Sequence, residues 1–171
     1  EGIVLSLIPS IQEEELKHGK KGRFLATNKG INLSIIISIF TIILFIIFKD
    51  VMINILKFKD SLINSHFKTF SIILSLNMIF NLARSPLVAY MQSDNRFFYG
   101  AKSKALNLFT QIVLIILVNK RLNLVSLLII NLISSIVQFF YMLNPIVKEG
   151  FRFRMDFNFD KEILKRISKM F

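Results

Sequence analysis

Arg84 is the residue whose surroundings ask for chemistry, because it sits inside Phe70 to Met91 (FSIILSLNMIFNLARSPLVAYM), a run long enough to cross a bilayer as a helix. At about 100° per residue, Asn77, Asn81, Arg84, Ser85, Val88 and Gln92 fall within an arc of roughly 100°, opposite a face of Ile, Leu, Met and Phe. Ten Leu, Ile, Phe and Val residues favour insertion by about 3–6 kcal/mol together, and one central arginine cancels about 2.5–3.5 of that. An arginine at such depth calls for a water-filled cavity or a partner, so the stripe offers polar recognition inside the membrane. The competing reading is that Arg84, in the later part of the run, snorkels to the headgroups and only anchors the helix. Pro86 removes a backbone donor and crowds the carbonyl of Leu82, which predicts a kink beside Arg84.

Two later runs carry similar stripes. Ala105 to Asn119 is free of charge and shows Asn107, Thr110 and Gln111 on one part of its surface. Leu122 to Val147 has no charge over 26 residues, and Asn131, Ser134, Ser135 and Gln138 fall within about a 100° arc. These amides either line the same cavity as Arg84 or hydrogen-bond between helices; spacing leaves both readings open. The candidate cavity residues are therefore Arg84, Asn77, Asn81, Gln111, Asn131 and Gln138. No carboxylate pair, nucleophile triad or phosphate loop is present, so catalytic residues are not expected. His18 and His66 stand without metal-ligand spacing, and the absence of Cys excludes disulfides and thiolate metal sites, so neither metal nor cofactor is expected.

The elements that must position these residues follow from composition. With 171 residues, 53% hydrophobic, 18 Phe and long charge-free runs, the chain reads as an all-α polytopic transmembrane helix bundle. The net charge of +11 would suggest nucleic acid in a soluble protein, but here the charges lie between apolar spans, so anionic membrane lipids are the expected partner and nucleic acid is not. Residues 1–12 read as the end of a truncated membrane helix, and 13–30 (EEELKHGKKGRFLATNKG) as a polar loop. Four spans are expected at about 31–48, 70–91, 103–120 and 122–147, the third bracketed by snorkelling lysines. An amphipathic helix over 50–68 lies on one membrane face. Ser34, Ser38 and Thr41 share a face suited to close helix packing. After Lys148, the alternation of Phe151, Phe153, Met155, Phe157 and Phe159 has a period of two and reads as an extended linker in the headgroups, followed by an amphipathic helix capped by Asp160.

Lys and Arg number fifteen on the side holding both ends and the Gln92 to Lys104 turn, against six on the other, which puts the first side in the cytoplasm. In the order of its elements the chain resembles the MviN/MurJ-type lipid II flippases of the MOP (MATE/Wzx-like) transporter superfamily. The resemblance is carried by LIPSIQ at the end of one helix, PLVAYMQSDNRFFYGA at the end of another and FRFRMDFNFDKEILKRISKMF after the last span. It implies two six-helix lobes around a central cavity, of which this chain would be a fragment supplying helices three to six of the first lobe and the cytoplasmic interlobe linker over 148–171. It also implies a multi-pass protein of the bacterial cytoplasmic membrane, in which cationic and amide groups hold the pyrophosphate and sugars of a lipid-linked saccharide while its tail stays in the bilayer. The remainder of the transporter chain is then a further partner. The family's essential residues lie mostly in helices that precede this stretch, so none is carried over by identity. The alternatives are a Wzx-type oligosaccharide flippase, a MATE-type multidrug antiporter, which would want an acidic residue within a span, and a non-transport membrane scaffold whose stripes only glue helices.

The charge asymmetry yields a topological expectation. A single cysteine at Ser93 should be shielded from an impermeant thiol reagent in intact cells, and one at Ser61 should be labelled; labelling of Ser93 from outside would reverse the orientation.

Overall fold

The computed structural model describes residues 2–48, 61–119 and 122–155. These form four α-helices and, among the described residues, no strand: α1 (Gly2–Ile47), α2 (Ser61–Ser93), α3 (Phe97–Val118) and α4 (Leu124–Lys148). The expected all-α bundle is what is found, and all four helices are long and apolar enough to cross a membrane. Most of the amphipathic segment expected at 50–68, and the tail helix that Asp160 would cap, lie outside the described residues.

The segment expected as a loop, 13–30, is helical. Of its three glycines Gly19 alone leaves helical geometry, with φ 62° and ψ −151°, a conformation that essentially only glycine tolerates. The chain reverses there. In a straight helix Leu7 and Gly30 would be about 35 Å apart, yet a Cβ on Gly30 would lie 3.3 Å from Leu7 Cδ1. Glu15 and Arg23, eight residues apart, likewise meet at 3.4 Å. Thus α1 is a helical hairpin whose arms, 2–18 and 20–47, lie side by side, and the charged residues of 13–30 continue its helices where a polar loop was expected. Gly22 is the closest point, because a Cβ there would sit 2.1 Å from the carbonyl oxygen of Glu14.

The second arm packs on α2 through small groups. Pro86 is buried and its ring fills the space left by Gly30, 3.1 Å from where a Cβ would stand; α2 runs as one helix through Pro86. Ser34 and Ser38 are buried, and the Ser38 hydroxyl donates to the Ser34 carbonyl at 2.7 Å, so no polar atom is lost to the close contact. Leu7, Ile11, Ala26 and Ala89 form one apolar cluster where the hairpin meets α2. Ile31, Leu87, Tyr90, Met91, Met142 and Ile146 form a second, which joins α1, α2 and α4.

The turn between α2 and α3 is shorter than expected: α3 begins at Phe97, so Gly100 to Lys104 is helical. A capping box between Asn123 and Ser126 starts α4. After α4 the chain bends at Gly150 and buries Phe151 beside Phe24, ring centroids 5.8 Å apart. Asn28 then grips the next stretch as a strand would, its Nδ2 donating to the Arg154 carbonyl at 2.5 Å and its Oδ1 accepting from the Arg154 N–H at 3.0 Å, with Asn32 Nδ2 donating to the same carbonyl at 3.0 Å. The extended segment expected in the headgroups is therefore, over Phe151 to Arg154, docked on α1, because Phe151 gains a protein core and the carboxamides supply backbone partners.

The hairpin makes a prediction of sign. Gly22→Ala should lower the melting midpoint in detergent, costing about 1–3 kcal/mol through overpacking, whereas in a straight helix it would stabilise by up to about 1 kcal/mol. Gly100→Ala, where nothing lies within 4 Å, serves as the tolerant control. A Gly22→Ala protein that melts higher than wild type would refute the hairpin.

Candidate functional site

Arg84 stands on the wall of a cavity of about 400 Å³ between α1, α2 and α3. Ser85, Val88 and Gln92 continue its stripe along that wall; Lys104 and Ser103 face in from α3, and Val4 and Leu5 from the first arm of α1. Arg84 Nε is buried and has no hydrogen-bond partner among the described residues, which is also true of Arg23 Nε; Arg84 differs in standing on a cavity wall. Phe97 and Gly100, from the first turn of α3, also line the cavity; that helix starts at Arg96 without a side-chain cap. A helix N-terminus carries partial positive charge and free N–H groups. Two cations, an unsatisfied N–H and a helix N-terminus make the cavity suited to an anion with several oxygens.

The amides expected to share this cavity go elsewhere. Asn77 and Asn81 turn to α4: Asn81 Nδ2 donates to Asn77 Oδ1 at 3.0 Å and to Ser135 Oγ at 3.3 Å, and Ser135 Oγ donates to Asn77 Oδ1 at 2.6 Å. Between α3 and α4, Gln138 Nε2 donates to Ser103 Oγ at 3.0 Å and Asn107 Nδ2 to Gln138 Oε1 at 3.1 Å. Gln111 Nε2 completes the ladder, donating to Asn107 Oδ1 at 2.8 Å and Asn131 Oδ1 at 3.3 Å. Asn77, Asn81, Gln111, Asn131 and Gln138 thus bond helix to helix, and among the cavity candidates Arg84 alone lines the cavity. The stripe on α2 has one face but two neighbours. About 10 Å of axial rise separates Asn77 from Arg84, and over that distance the facing surface changes from Ser135 of α4 to open space.

Sequence reading missed a charge cluster at the end of the bundle where α2 meets α3. Arg23 is buried; its Nη2 donates to the Tyr90 carbonyl at 2.8 Å, its Nη1 pairs with Asp94 at 3.0 Å and Glu15 at 3.4 Å, and its guanidinium lies 4.0 Å from the centre of the Tyr90 ring. Arg96 bridges Asp94 and Glu149, and Glu149 also accepts from the Tyr90 hydroxyl at 2.7 Å and meets Lys20 at 3.8 Å. Burial pushes the Asp94 carboxyl up, but hydrogen bonds and charge from Arg23 and Arg96 outweigh it and hold it below its ordinary value. Burial likewise raises Glu149, and the hydrogen bonds from Arg96 and Tyr90, with the charges of Arg96 and Lys20, bring it below. Hydrogen bonding to Glu149 raises Arg96 in turn. The sequence signal was the pair Asp94 and Arg96 in a short turn; Glu149 is distant and gives none.

Because both carboxyls are depressed, their contribution to stability is present above their unfolded values, about 3.9 for Asp and 4.3 for Glu, and is lost as pH falls through the lower folded values. The melting midpoint in detergent should therefore be insensitive to these groups from pH 8 to about 5 and fall below about pH 4. Glu149→Gln should cost about 1–3 kcal/mol at pH 7 and flatten the acid limb; an unchanged acid limb in that variant would remove the cluster from the account.

The family model described as lipid II flippase MurJ matches residues 1–171. No curated protein and no solved structure matches.

Proposed function

Because the chain belongs to the MurJ family of lipid II flippases, whose members carry this lipid-linked cell-wall precursor across the cytoplasmic membrane, we propose that the cavity between α1, α2 and α3 is where it holds the pyrophosphate of that substrate. The observation that carries this reading is Arg84: a guanidinium at membrane depth, on a cavity wall, with a buried Nε–H that nothing among the described residues accepts. Lys104 adds a second charge from the facing helix, and Ser85 and Gln92 offer neutral donors. A pyrophosphate crossing a bilayer must exchange its hydration shell for charge-assisted hydrogen bonds, since a bare ion in hydrocarbon is prohibitively costly. The apolar wall of Val4, Leu5 and Val88 keeps the rest of the cavity poor in competing ligands. The prenyl chain remains in lipid, and the cycle is binding and release, with no bond made or broken. The amides of the two ladders, Asn77, Asn81, Gln111, Asn131 and Gln138, are positioning residues that hold α2, α3 and α4 in register around the cavity.

The test separates recognition from anchoring. Arg84→Ala should reach the membrane at least as well as wild type, since insertion becomes easier by about 2 kcal/mol or more, yet fail to rescue a flippase-depleted strain. Arg84→Lys should keep part of the activity, as a point charge without the planar fork. Loss of a charge-assisted bond corresponds to about tenfold to a hundredfold weaker substrate binding. Asn81→Ala and Gln138→Ala should instead lower the melting midpoint while activity per folded molecule persists. An abundant Arg84→Ala protein that rescues fully would assign Arg84 to snorkelling.

A further inference from the structure

On the outer seam between α3 and α4 runs an open groove of about 580 Å³, lined by Leu106 of α3 and by Val137, Phe140, Tyr141, Asn144 and Val147 of α4. The α4 residues recur at intervals of three and four, so they form one face, and one turn beyond Asn144 on that face stands Lys148, exposed in the last turn of the helix. One turn before Leu106 on α3 stands Lys102, also exposed, with its Nζ 4.4 Å from the centre of the Phe98 ring a further turn toward the charged end. That cation–π contact draws the ammonium toward the level at which headgroups begin. No carboxylate pairs with Lys102 or Lys148 among the described residues. The groove is thus largely apolar, with Tyr141 and Asn144 as its polar lining, and two exposed lysines stand one helical turn from its lining residues Leu106 and Asn144.

This groove is separate from the cavity of Arg84. Ser103 and Lys104 face that cavity; Lys104 lies about 160° around α3 from both Lys102 and Leu106, and Ser103, at the cavity's edge, about 100° from Lys102 and about 60° from Leu106. Its occupant must be amphipathic and negatively charged, with a chain that lies against Leu106, Val137 and Phe140 and a head that meets two lysines. We propose that the groove binds an anionic phospholipid of the surrounding leaflet, its phosphate between Lys102 and Lys148 and an acyl chain along the α3–α4 seam. The Tyr141 hydroxyl and Asn144 carboxamide stand at the intermediate level, where ester oxygens of a glycerolipid would lie.

The experiment is native mass spectrometry of the full-length protein, equilibrated in detergent with phosphatidylglycerol or phosphatidylcholine of matched chains. Wild type should retain phosphatidylglycerol in preference on the order of thirtyfold at low salt, from two cations near an anionic headgroup, and the preference should shrink as salt rises. The Lys102→Gln, Lys148→Gln double variant should bring the ratio near one, and Val137→Trp should reduce retention of both lipids by filling the groove. Both lysines are exposed, so the double variant should melt as wild type does. Arg84→Ala should leave phospholipid retention unchanged, so this proposal can fail or stand without the cavity reading. Equal retention of the two lipids by wild type, or an undiminished preference in the double variant, overturns it. So does displacement of phosphatidylglycerol by undecaprenyl pyrophosphate whose own binding falls with Lys102→Gln and not with Arg84→Ala, which would make the groove a substrate site.

Discussion

A guanidinium whose side chain is only 5% exposed needs acceptors, and the charged end of this bundle supplies them to both terminal nitrogens of Arg23, while its Nε has no partner among the described residues. Burying a charge costs several kcal/mol before any partner is counted, so the partners of Arg23 first have to offset that cost. Its carbonyl partner is on α2, its carboxylates on the turn after α2 and on the first arm of α1, and its flat face rests on Tyr90. A slip of the hairpin by one residue along α2 would leave the charge buried and unpaired. Arg96 and Glu149 then tie the end of α4 to the same point. The reversal at Gly19 is what lets Glu15 reach Arg23 at all.

Away from that end the same rule works with neutral groups. At bilayer depth an amide has no water to satisfy it, so the carboxamides of α2, α3 and α4 satisfy one another or a serine hydroxyl. Each such bond is worth about 0.6 to 2 kcal/mol in a membrane, modest singly, but the Ser103, Gln138, Asn107, Gln111 and Asn131 ladder runs along most of the contact between α3 and α4. That contact needs it, because almost none of the apolar window of α3 is buried. Polar residues that complete one another hold the frame.

Helix class, the four long apolar helices and the family resemblance were legible, since they rest on charge-free length and on the order of elements. The polar stripes were legible as stripes. Their division was not, because Asn77 and Arg84 have the same angular address on α2 and differ in what lies opposite, a tertiary fact. The segment 13–30 misled because its lysines, glutamates and glycines have the composition of a loop; exposed ends of membrane helices share that composition, and the turn it contains is a single residue. Pro86 was readable as a disruption of its own helix, while its packing against Gly30 depends on a partner more than fifty residues away in sequence. The Asn28 grip on Arg154 left no trace in any local pattern.

The positive character of the Arg84 cavity follows from where the carboxylates have gone. The chain has 22 Lys and Arg against 11 Asp and Glu, so acidic residues decide which basic ones are neutralised. At the charged end, Lys20, Arg23 and Arg96 meet Glu15, Asp94 and Glu149, three against three, and their fields cancel within a few ångströms. Glu13 is taken by Lys17. No carboxylate lines the cavity, so no ion pair within it offsets Arg84 and Lys104. A cluster that consumes acidic side chains to fix the frame therefore also sets the electrostatics of the site beside it, and removing Asp94 or Glu149 would loosen the frame without making the cavity less positive.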